Sequence, residues 1–575
     1  MDKRKLIDME NIQIYCKNNG KTCSVTFGSS LKEVSDTLMD GKLPDGQKIL
    51  AALCDNCLKE LDFKLTQDAN IEFIGYTHAD GRRTYIRSLC FVLEKAVKEL
   101  FPDKCLRVNY SLPSGLYCEI RMKECREDGK PNPCNLDASD LEHIEAAMRR
   151  TIAEDIPFNK VKMSYEDAAK VFSDSGFPEK VKLVQSLGRF NYSVYYLGNY
   201  ADSYHGPLLP STSYIDIFGL ESFGQGFCLK FPMPGAGKTL LPLTRQSKIA
   251  DALKEHSDWC SVIGVSSVGS LNKAVTGGLA GKLINLCEAR HERAYAEIAN
   301  AIKQRDGVKI VFIAGPSSSG KTSSSLRLAI QCKVIGMNPK VIELDNYFVN
   351  REFTPKDENG DYDFESLHAM DLDFLNSQLN DLLAGKEVEI PRFDFKTGTR
   401  HFNGNMMKLE ENDILIMEGI HALNPEMVSG VDNSRIFRVY VSALTSLSID
   451  ENNNISTSDN RLLRRIVRDN RVRGITPEET IMRWKSVRRG ESRNIFPFQE
   501  NADAVFNSAL LFELPMLKYY AEPLLRRISP ISPAYTEAVR LLKFLEYIVA
   551  LSPEEIAGIP PTSIMREFIG GQTLS

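Results

Sequence analysis

The chain has 575 residues, 43% of them hydrophobic and 26% charged, with a net charge of −5 at pH 7. That length exceeds one hydrophobic core and predicts roughly two to four domains of ordinary globular composition. A mildly acidic balance excludes global attraction to nucleic acid or anionic membrane, leaving only local basic patches.

The start, Met1-Asp2-Lys3-Arg4-Lys5, leads into a polar segment without a signal-peptide core, and no apolar run reaches the ~20 residues that span a bilayer. The thirteen cysteines are scattered and odd in number, which reads as reduced thiols and predicts a cytoplasmic protein. Residues 9–76 alternate short β-like runs (Ile12–Tyr15, Cys23–Phe27, Ile71–Ile74) with helical spacing over Leu31–Leu38. This predicts a small α+β unit of ubiquitin-like size. Cys54-x-x-Cys57 has no second pair at zinc-ribbon spacing, so two buried helix cysteines are expected rather than half a metal site. An amphipathic helix is predicted over 85–101, carried by Leu89, Val92, Leu93, Ala96, Val97 and Leu100. A helix-like segment at Leu141–Thr151 precedes another patterned stretch, Val161–Phe172, and Tyr195–Phe231 reads as strands joined by ordered loops. Gly235-Ala236-Gly237-Lys238-Thr239 imitates a phosphate loop, but the first glycine of that pattern would fall at Pro232, which has no N–H to offer. A surface turn is expected there. From Gly278 to Lys303 the pattern is helical and charged, fitting a connecting helix.

The strongest signal follows. An apolar run, Val311-Phe312-Ile313-Ala314, reads as a buried parallel strand and feeds Gly315-Pro316-Ser317-Ser318-Ser319-Gly320-Lys321-Thr322. This is the G-x-x-x-x-G-K-T phosphate loop, and the segment after it has helical spacing. Such a loop wraps backbone N–H groups around a phosphate chain at a helix N-terminus. Lys321 would reach the β- and γ-phosphates of ATP, and the Thr322 hydroxyl would hold Mg²⁺. Next, Lys340–Leu344 reads as a strand that ends in Asp345, where an α/β sheet places its ligands. Asp345 suits a base that orients an attacking hydroxyl; a helix-capping role fits its position equally well. A third strand, Asp413–Met417, ends in Glu418, placed where a Walker-B carboxylate holds Mg²⁺ directly or through water. Arg461, Arg464, Arg465 and Arg468 then share one helix face, with Arg471 and Arg473 beyond. That face is suited to phosphates, with a solvated charged helix or an RNA-contacting patch as the plainer alternatives.

Two resemblances organise these motifs. The stretch 9–76 resembles the TGS module of threonyl-tRNA synthetases, and the part to about 232 resembles the editing-type domain that follows it. The matching runs are Ala96–Pro102, Ser114–Tyr117 and Gly206–Thr212. At the positions where that domain carries two metal-ligating pairs, this chain has Arg87 and Phe91, then Tyr204 and Leu208. None of the four can replace an imidazole or thiolate, so metal-assisted deacylation is not expected. His78 and His205 lie nearby at the wrong spacing.

From 307 to 525 the order of phosphate loop, Leu-Asp-Asn-Tyr-Phe, Phe393-Asp394-Phe395, Met-Glu-Gly-Ile and Arg-Arg-x-x-Arg-Asp resembles the uridine kinase and phosphoribulokinase family. The resemblance implies a five-stranded parallel sheet with flanking helices and an arginine-bearing lid, using ATP and Mg²⁺. It implies a catalytic set of Lys321, Asp345 and Arg468 and a metal pair of Thr322 and Glu418. It places nucleotide contacts at Gly315–Ser323 (Gly315, Pro316, Ser317, Ser318, Ser319, Gly320, Lys321, Thr322 and Ser323), Arg465 and Arg473, and substrate contacts at Glu365, Phe393 and Arg465. The family's pyrimidine-reading hydroxyl and imidazole fall at Phe393 and Gly398, its ribose-binding aspartate at Glu365, and one lid arginine at Ile475. Uridine is therefore not the expected acceptor.

The expected fold is a multidomain α+β and α/β chain. Its parts are a TGS-like domain (1–76), an editing-like α+β domain (77–268), a connecting helix (269–306), a P-loop kinase domain (307–530) and a C-terminal helical tail (531–575). The function expected is ATP-dependent phosphorylation of a small-molecule hydroxyl, with a nucleoside as the expected acceptor class and the individual acceptor open. The rival is a nucleotide-gated protein that contacts RNA through its front half. No membrane partner is expected, and no oligomeric state follows from the residues.

Overall fold

The computed structural model describes residues 11–244, 247–357 and 360–574; the polar start Met1–Lys5 lies outside them. The chain opens with β1 (Asn11–Cys16), β2 (Lys21–Thr26), α1 (Leu31–Met39), β3 (Ala51–Cys54), β4 (Cys57–Lys59) and β5 (Ala69–Ile74). They form a mixed sheet in the order β2-β1-β5-β3-β4. Along β1, Ile12, Ile14 and Cys16 point inward and the residues between them outward, the alternation of a half-buried strand. Ser30 and Glu33 form a reciprocal cap at the start of α1. Cys54 and Cys57 correct the sequence expectation, because they sit half-buried at the tip of the β3–β4 hairpin rather than in a helix. Asp55 and Asn56 between them both have positive φ, 46° and 60°. Asp and Asn tolerate that left-handed geometry, which two-residue hairpins require.

The second unit is built on α2 (Ala79–Leu100), whose apolar stripe is buried against β6 (Lys104–Leu112), β7 (Gly115–Met122) and α3 (Ala138–Ala153). Val161–Phe172 divides into β8 (Phe158–Ser164) and α4 (Tyr165–Ser175), with Ser164 capping the helix. Then come α5 (Pro178–Leu187), β9 (Asn191–Leu197), β10 (Tyr200–Asp202), β11 (Gly219–Phe223) and β12 (Gly226–Lys230). These strands form two antiparallel sheets, β11-β12-β7-β6 and β10-β9-β8. Lys238, in the imitation loop, is an exposed side chain at 3.9 Å from Asp216.

Helices α6 (Ser247–Val262), α7 (Val268–Thr276) and α8 (Ala280–Gln304) lead to the last unit. Its sheet runs β14 (Asn338–Glu343), β19 (Asp413–Glu418), β13 (Ile310–Ala314), β20 (Ile436–Ser442), β21 (Ala504–Asn507), all parallel. Between β14 and β19 lie α10 (Leu372–Leu383, after α9, Lys321–Val334) and the short ribbons β15 (Val388–Glu389), β16 (Arg392–Asp394), β17 (Thr399–His401) and β18 (Met406–Met407). Every residue of β13 is buried. Ile310, Phe312 and Ala314 enter one apolar core while Val311 and Ile313 enter the other, as a sheet covered on both faces demands. After β20 come α11 (Thr457–Arg468), α12 (Pro477–Asn494) and α13 (Glu513–Leu525), and then α14 (Tyr535–Leu545), α15 (Pro553–Ala557) and α16 (Met565–Ile569). The C-terminal helices are packed into the core: Leu541, Ile564, Met565 and Phe568 join the cluster that contains Val311 and Ile313. Among the described residues no helix is long and apolar enough to cross a membrane.

Candidate nucleotide and acceptor site

The phosphate loop turns between β13 and α9. At Gly315 a Cβ would fall 2.0 Å from the Val441 carbonyl, so the strand end admits only glycine. Ser318 (φ 59°) and Gly320 (φ 89°) are both left-handed; for serine that geometry costs about 1 kcal/mol. It persists because neighbours hold the loop from behind. Among the described residues, the N–H groups of Gly320, Lys321 and Thr322 meet no acceptor, and the Ser318 and Ser319 hydroxyls are buried without a partner. Unpaired donors converging at the start of a 14-residue helix form a cradle that suits an anion.

The hold from behind corrects the reading of the arginine face. Arg461 and Arg464 are fully buried and do not face a phosphate. Arg461 pairs with Glu491 and donates to the Ser317 carbonyl at 3.0 Å. Arg464 pairs with Glu513 and donates to the Ser508 carbonyl at 2.8 Å, with the Ser318 and Ser319 carbonyls each at 3.4 Å. Their guanidinium groups lie over Trp484 and Phe568, at 5.4 and 5.3 Å. The inner face of α11 packs against the loop, so its cations neutralise buried carboxylates and loop carbonyls. Arg465, next on the helix, donates to Ser317 Oγ at 2.8 Å. Arg465, Arg468 and Arg473 gather around the buried Asp469 at 3.2, 2.9 and 3.6 Å.

Three carboxylates lie within electrostatic reach of Lys321. Glu418, at the end of β19, accepts a 2.6 Å hydrogen bond from Thr322 Oγ1. Burial pushes its carboxyl up to about 7, with Lys321 opposing and Asp345 adding to the rise. Asp345 stands in the turn after β14, raised by burial and drawn back by Lys321. Glu365 is raised to about 7 by burial and by Glu491, against Arg465 and Lys321. Gly490 makes room for it: a Cβ there would lie 2.4 Å from Glu365. The Thr322–Glu418 pair fits Mg²⁺. One hydroxyl and one carboxylate are the oxygen donors this ion takes from protein, the rest coming from phosphate and water. A cation would also relieve the cost of ionising Glu418.

On the acceptor side, Phe393 is tied to the Asp345 turn because its N–H donates to Asn346 Oδ1 at 3.1 Å. Its ring is only 9% exposed and packs edge-on against Phe348 and Phe395. Gly398 (φ 73°) lies under the Arg351 guanidinium, where a Cβ would come within 2.7 Å. Arg351 donates to the Phe395 carbonyl at 2.7 Å, and so fills the space a larger side chain at 398 would take.

The far wall is the C-terminal segment. Glu567 accepts from Ser323 N at 3.4 Å and from Ser323 Oγ at 2.7 Å, and Gln572 donates to that same hydroxyl. Ile564 packs against Gly320. Glu491, Glu513, Arg351 and Glu567 carry no signal in the sequence, because each reaches the site from a distant segment.

Residues 310–511 match the model of the Phosphoribulokinase / Uridine kinase family. The matched region carries the parallel sheet, the phosphate loop and the arginine helix. The front of the chain matches threonine–tRNA ligases. That of Desulforamulus reducens is 27% identical over 210 residues, 36% of this chain and 31% of the ligase. That of Pelobacter propionicus is 29% identical over 219 residues, 38% of this chain and 32% of the ligase. The chain thus spans about a third of the length of these relatives. The solved structure of "a Possible Uridine Kinase from Bacillus stearothermophilus" is 18% identical, covering 38% of this chain and 99% of that one, with a TM-score of 0.26.

In the ligase-like part, Phe91 and Leu208 are core residues. Arg87 donates to the Pro207 carbonyl at 3.1 Å, and Tyr204 donates to Glu94 at 3.2 Å. His78 caps α2, and His205 faces Asn453 at 3.3 Å. Among the described residues no group of three or more His, Cys, Asp or Glu side chains is placed to hold a metal.

Proposed function

We propose that this protein transfers the γ-phosphoryl group of ATP to a hydroxyl of a small molecule, with nucleoside-like compounds as the reference class. The observation that carries this reading is the meeting of Lys321, the Thr322–Glu418 pair and Asp345 at one end of a parallel sheet. Lys321 would neutralise the β/γ-phosphates, Thr322 and Glu418 would hold Mg²⁺, and Asp345 would orient the acceptor hydroxyl and take its proton. A nucleotide switch has no need of that last group. Arg468, Arg465 and Arg473 would meet the charge that grows in the transition state, releasing Asp469 in part.

The acceptor is bound without the phenol and imidazole contacts of a pyrimidine pocket, since Phe393 is buried and Arg351 covers Gly398. Glu365 and Asp345 remain to grip vicinal hydroxyls, and Arg351 adds a cation at the rim. A polyol or ribose-like acceptor fits these groups better than uridine. A panel of nucleosides, sugars and polyols assayed for ATP-dependent phosphorylation tests this. Efficient use of some hydroxyl compound, lost in Lys321→Ala, supports the reading. ATP consumption unaffected by Lys321→Ala refutes it, and uridine or cytidine as the preferred acceptor refutes the account of the pocket.

A further inference from the structure

The two halves of the chain meet where the proposed reaction uses nothing. Between β20 and α11 the chain makes a polar loop, Asp450–Asn453, whose four side chains are all buried. They are seated in the ligase-like unit. The Glu451 carboxylate accepts from the N–H groups of Glu179 and Lys180 at 2.7 and 3.2 Å. These are the opening residues of α5, whose own N-cap, Phe177, provides no side-chain acceptor. A helix start left with open donors and a positive dipole end is thus completed by a carboxylate from the other half of the chain. Lys180 lies between Asp202 at 2.7 Å and Asp450 at 2.9 Å, all three fully buried. Asn452 donates to Glu94 and to Asp202, and Asn453 donates to the Ser203 carbonyl at 3.0 Å. Glu94 lies on α2 with Arg87 and Phe91, and Asp202 and Ser203 immediately precede Tyr204. The loop therefore lies beside the positions at which the related editing domain carries its ligands: Asn452 shares Glu94 with Tyr204, and Asn453 faces His205.

The same loop runs into the phosphate site. Ser448 bridges to Ser267 at the start of α7 and accepts from the Val268 N–H at 2.8 Å. Four residues beyond Asn453, Thr457 opens α11, and Thr457 Oγ1 accepts from Thr445 N at 3.4 Å. Along α11, Arg461 and Arg464 hold the Ser317, Ser318 and Ser319 carbonyls. A buried, charge-paired seat at one end and the phosphate loop at the other are thus joined by one short loop and two turns of helix.

We propose that the ligase-like cleft is the seat of the 450–453 loop and that Lys180 is a positioning residue for the phosphate loop. The front half then serves as a fixed support of the nucleotide site, and its cleft is closed to an RNA end. This rests on the nucleotide reading above. Lys180 accounts for the loop's place: without it Asp450 and Asp202 would face each other in a dry site, and carboxylates so placed move apart or take up protons.

The test uses the full chain and a fluorescent ATP analogue, with hydrogen exchange followed over residues 445–468. Lys180→Met should weaken nucleotide binding about tenfold or more and raise exchange in 445–468, while β1–β5 stay protected. Lys180→Arg should recover most of the affinity. If Lys180→Met does not fold, Asn453→Ala, which leaves the Lys180 ion pairs in place, takes its place in both measurements with the same direction expected. Unchanged affinity in a folded variant, or exchange raised evenly over the whole chain, overturns the proposal. A wild-type protein that binds no nucleotide overturns the nucleotide reading instead, and exchange over 445–468 still decides the seat.

Discussion

Replacing Glu418 with glutamine should stabilise the protein at neutral pH while weakening its hold on a divalent cation. The folded-state carboxyl is raised from 4.5 to about 7 by burial, with Lys321 only partly opposing. Between those two values the folded protein binds more protons at this site than the unfolded chain, so stability falls as pH rises through that window. Above about pH 7 the loss is complete. At about 1.4 kcal/mol for each tenfold change in proton affinity, it amounts to about 3 kcal/mol. Glutamine keeps the size and an acceptor for the Thr322 hydroxyl but has no charge to desolvate. The stability difference between variant and wild type should therefore be small at pH 5 and reach about 3 kcal/mol at pH 8. Urea denaturation at the two pH values, without Mg²⁺ or nucleotide, gives the comparison. Trp484, which packs on Arg461, reports the unfolding of this region. Adding Mg²⁺ with nucleotide should stabilise the wild type more than the variant. An equal stability difference at both pH values would mean that Glu418 is hydrated and already ionised, and the reasoning would be wrong.

Asp345→Asn should keep nucleotide affinity and lose turnover by about 10²-fold or more, since an amide cannot accept the acceptor's proton; lost affinity at unchanged maximal rate would make Asp345 a structural residue. Glu491→Gln leaves Arg461 poorly paired and should destabilise the region of the parallel sheet by roughly 3 kcal/mol, read as a lower urea midpoint; a shift under about 0.5 kcal/mol would deny the prop its role. Glu567→Ala removes a carboxylate from Ser323 N and Oγ, where a nucleotide phosphate would compete for the same donors, and should lower the KM for ATP severalfold; a raised KM would make Glu567 part of the nucleotide site. The front half should contain no stoichiometric zinc by elemental analysis, because Arg87, Phe91, Tyr204 and Leu208 are not ligands; zinc lost on mutating His78 or His205 would refute that.

The residues alone determined what is local. A phosphate loop declares itself because its glycines, lysine and threonine must follow one strand and open one helix, all within a dozen positions. The positions of Asp345 and Glu418 at strand ends were legible for a related reason: each ends an apolar run, and parallel strands present their ligands at that end. Local spacing also misled. Arg461 and Arg464 have the spacing of a phosphate-facing stripe, yet a helix period cannot say which neighbour covers which face, and Glu491 and Glu513 claimed them. Cys54 and Cys57 read as helical until two left-handed residues made them a hairpin. The tertiary structure alone decided what depends on segments far apart in the chain. Glu567 reaches Ser323 across 244 positions, Arg351 covers Gly398, and Glu451 completes a helix start 272 residues earlier. Such partners leave no periodicity, because an ion pair or a cap needs proximity in space and nothing in the order of the chain encodes it.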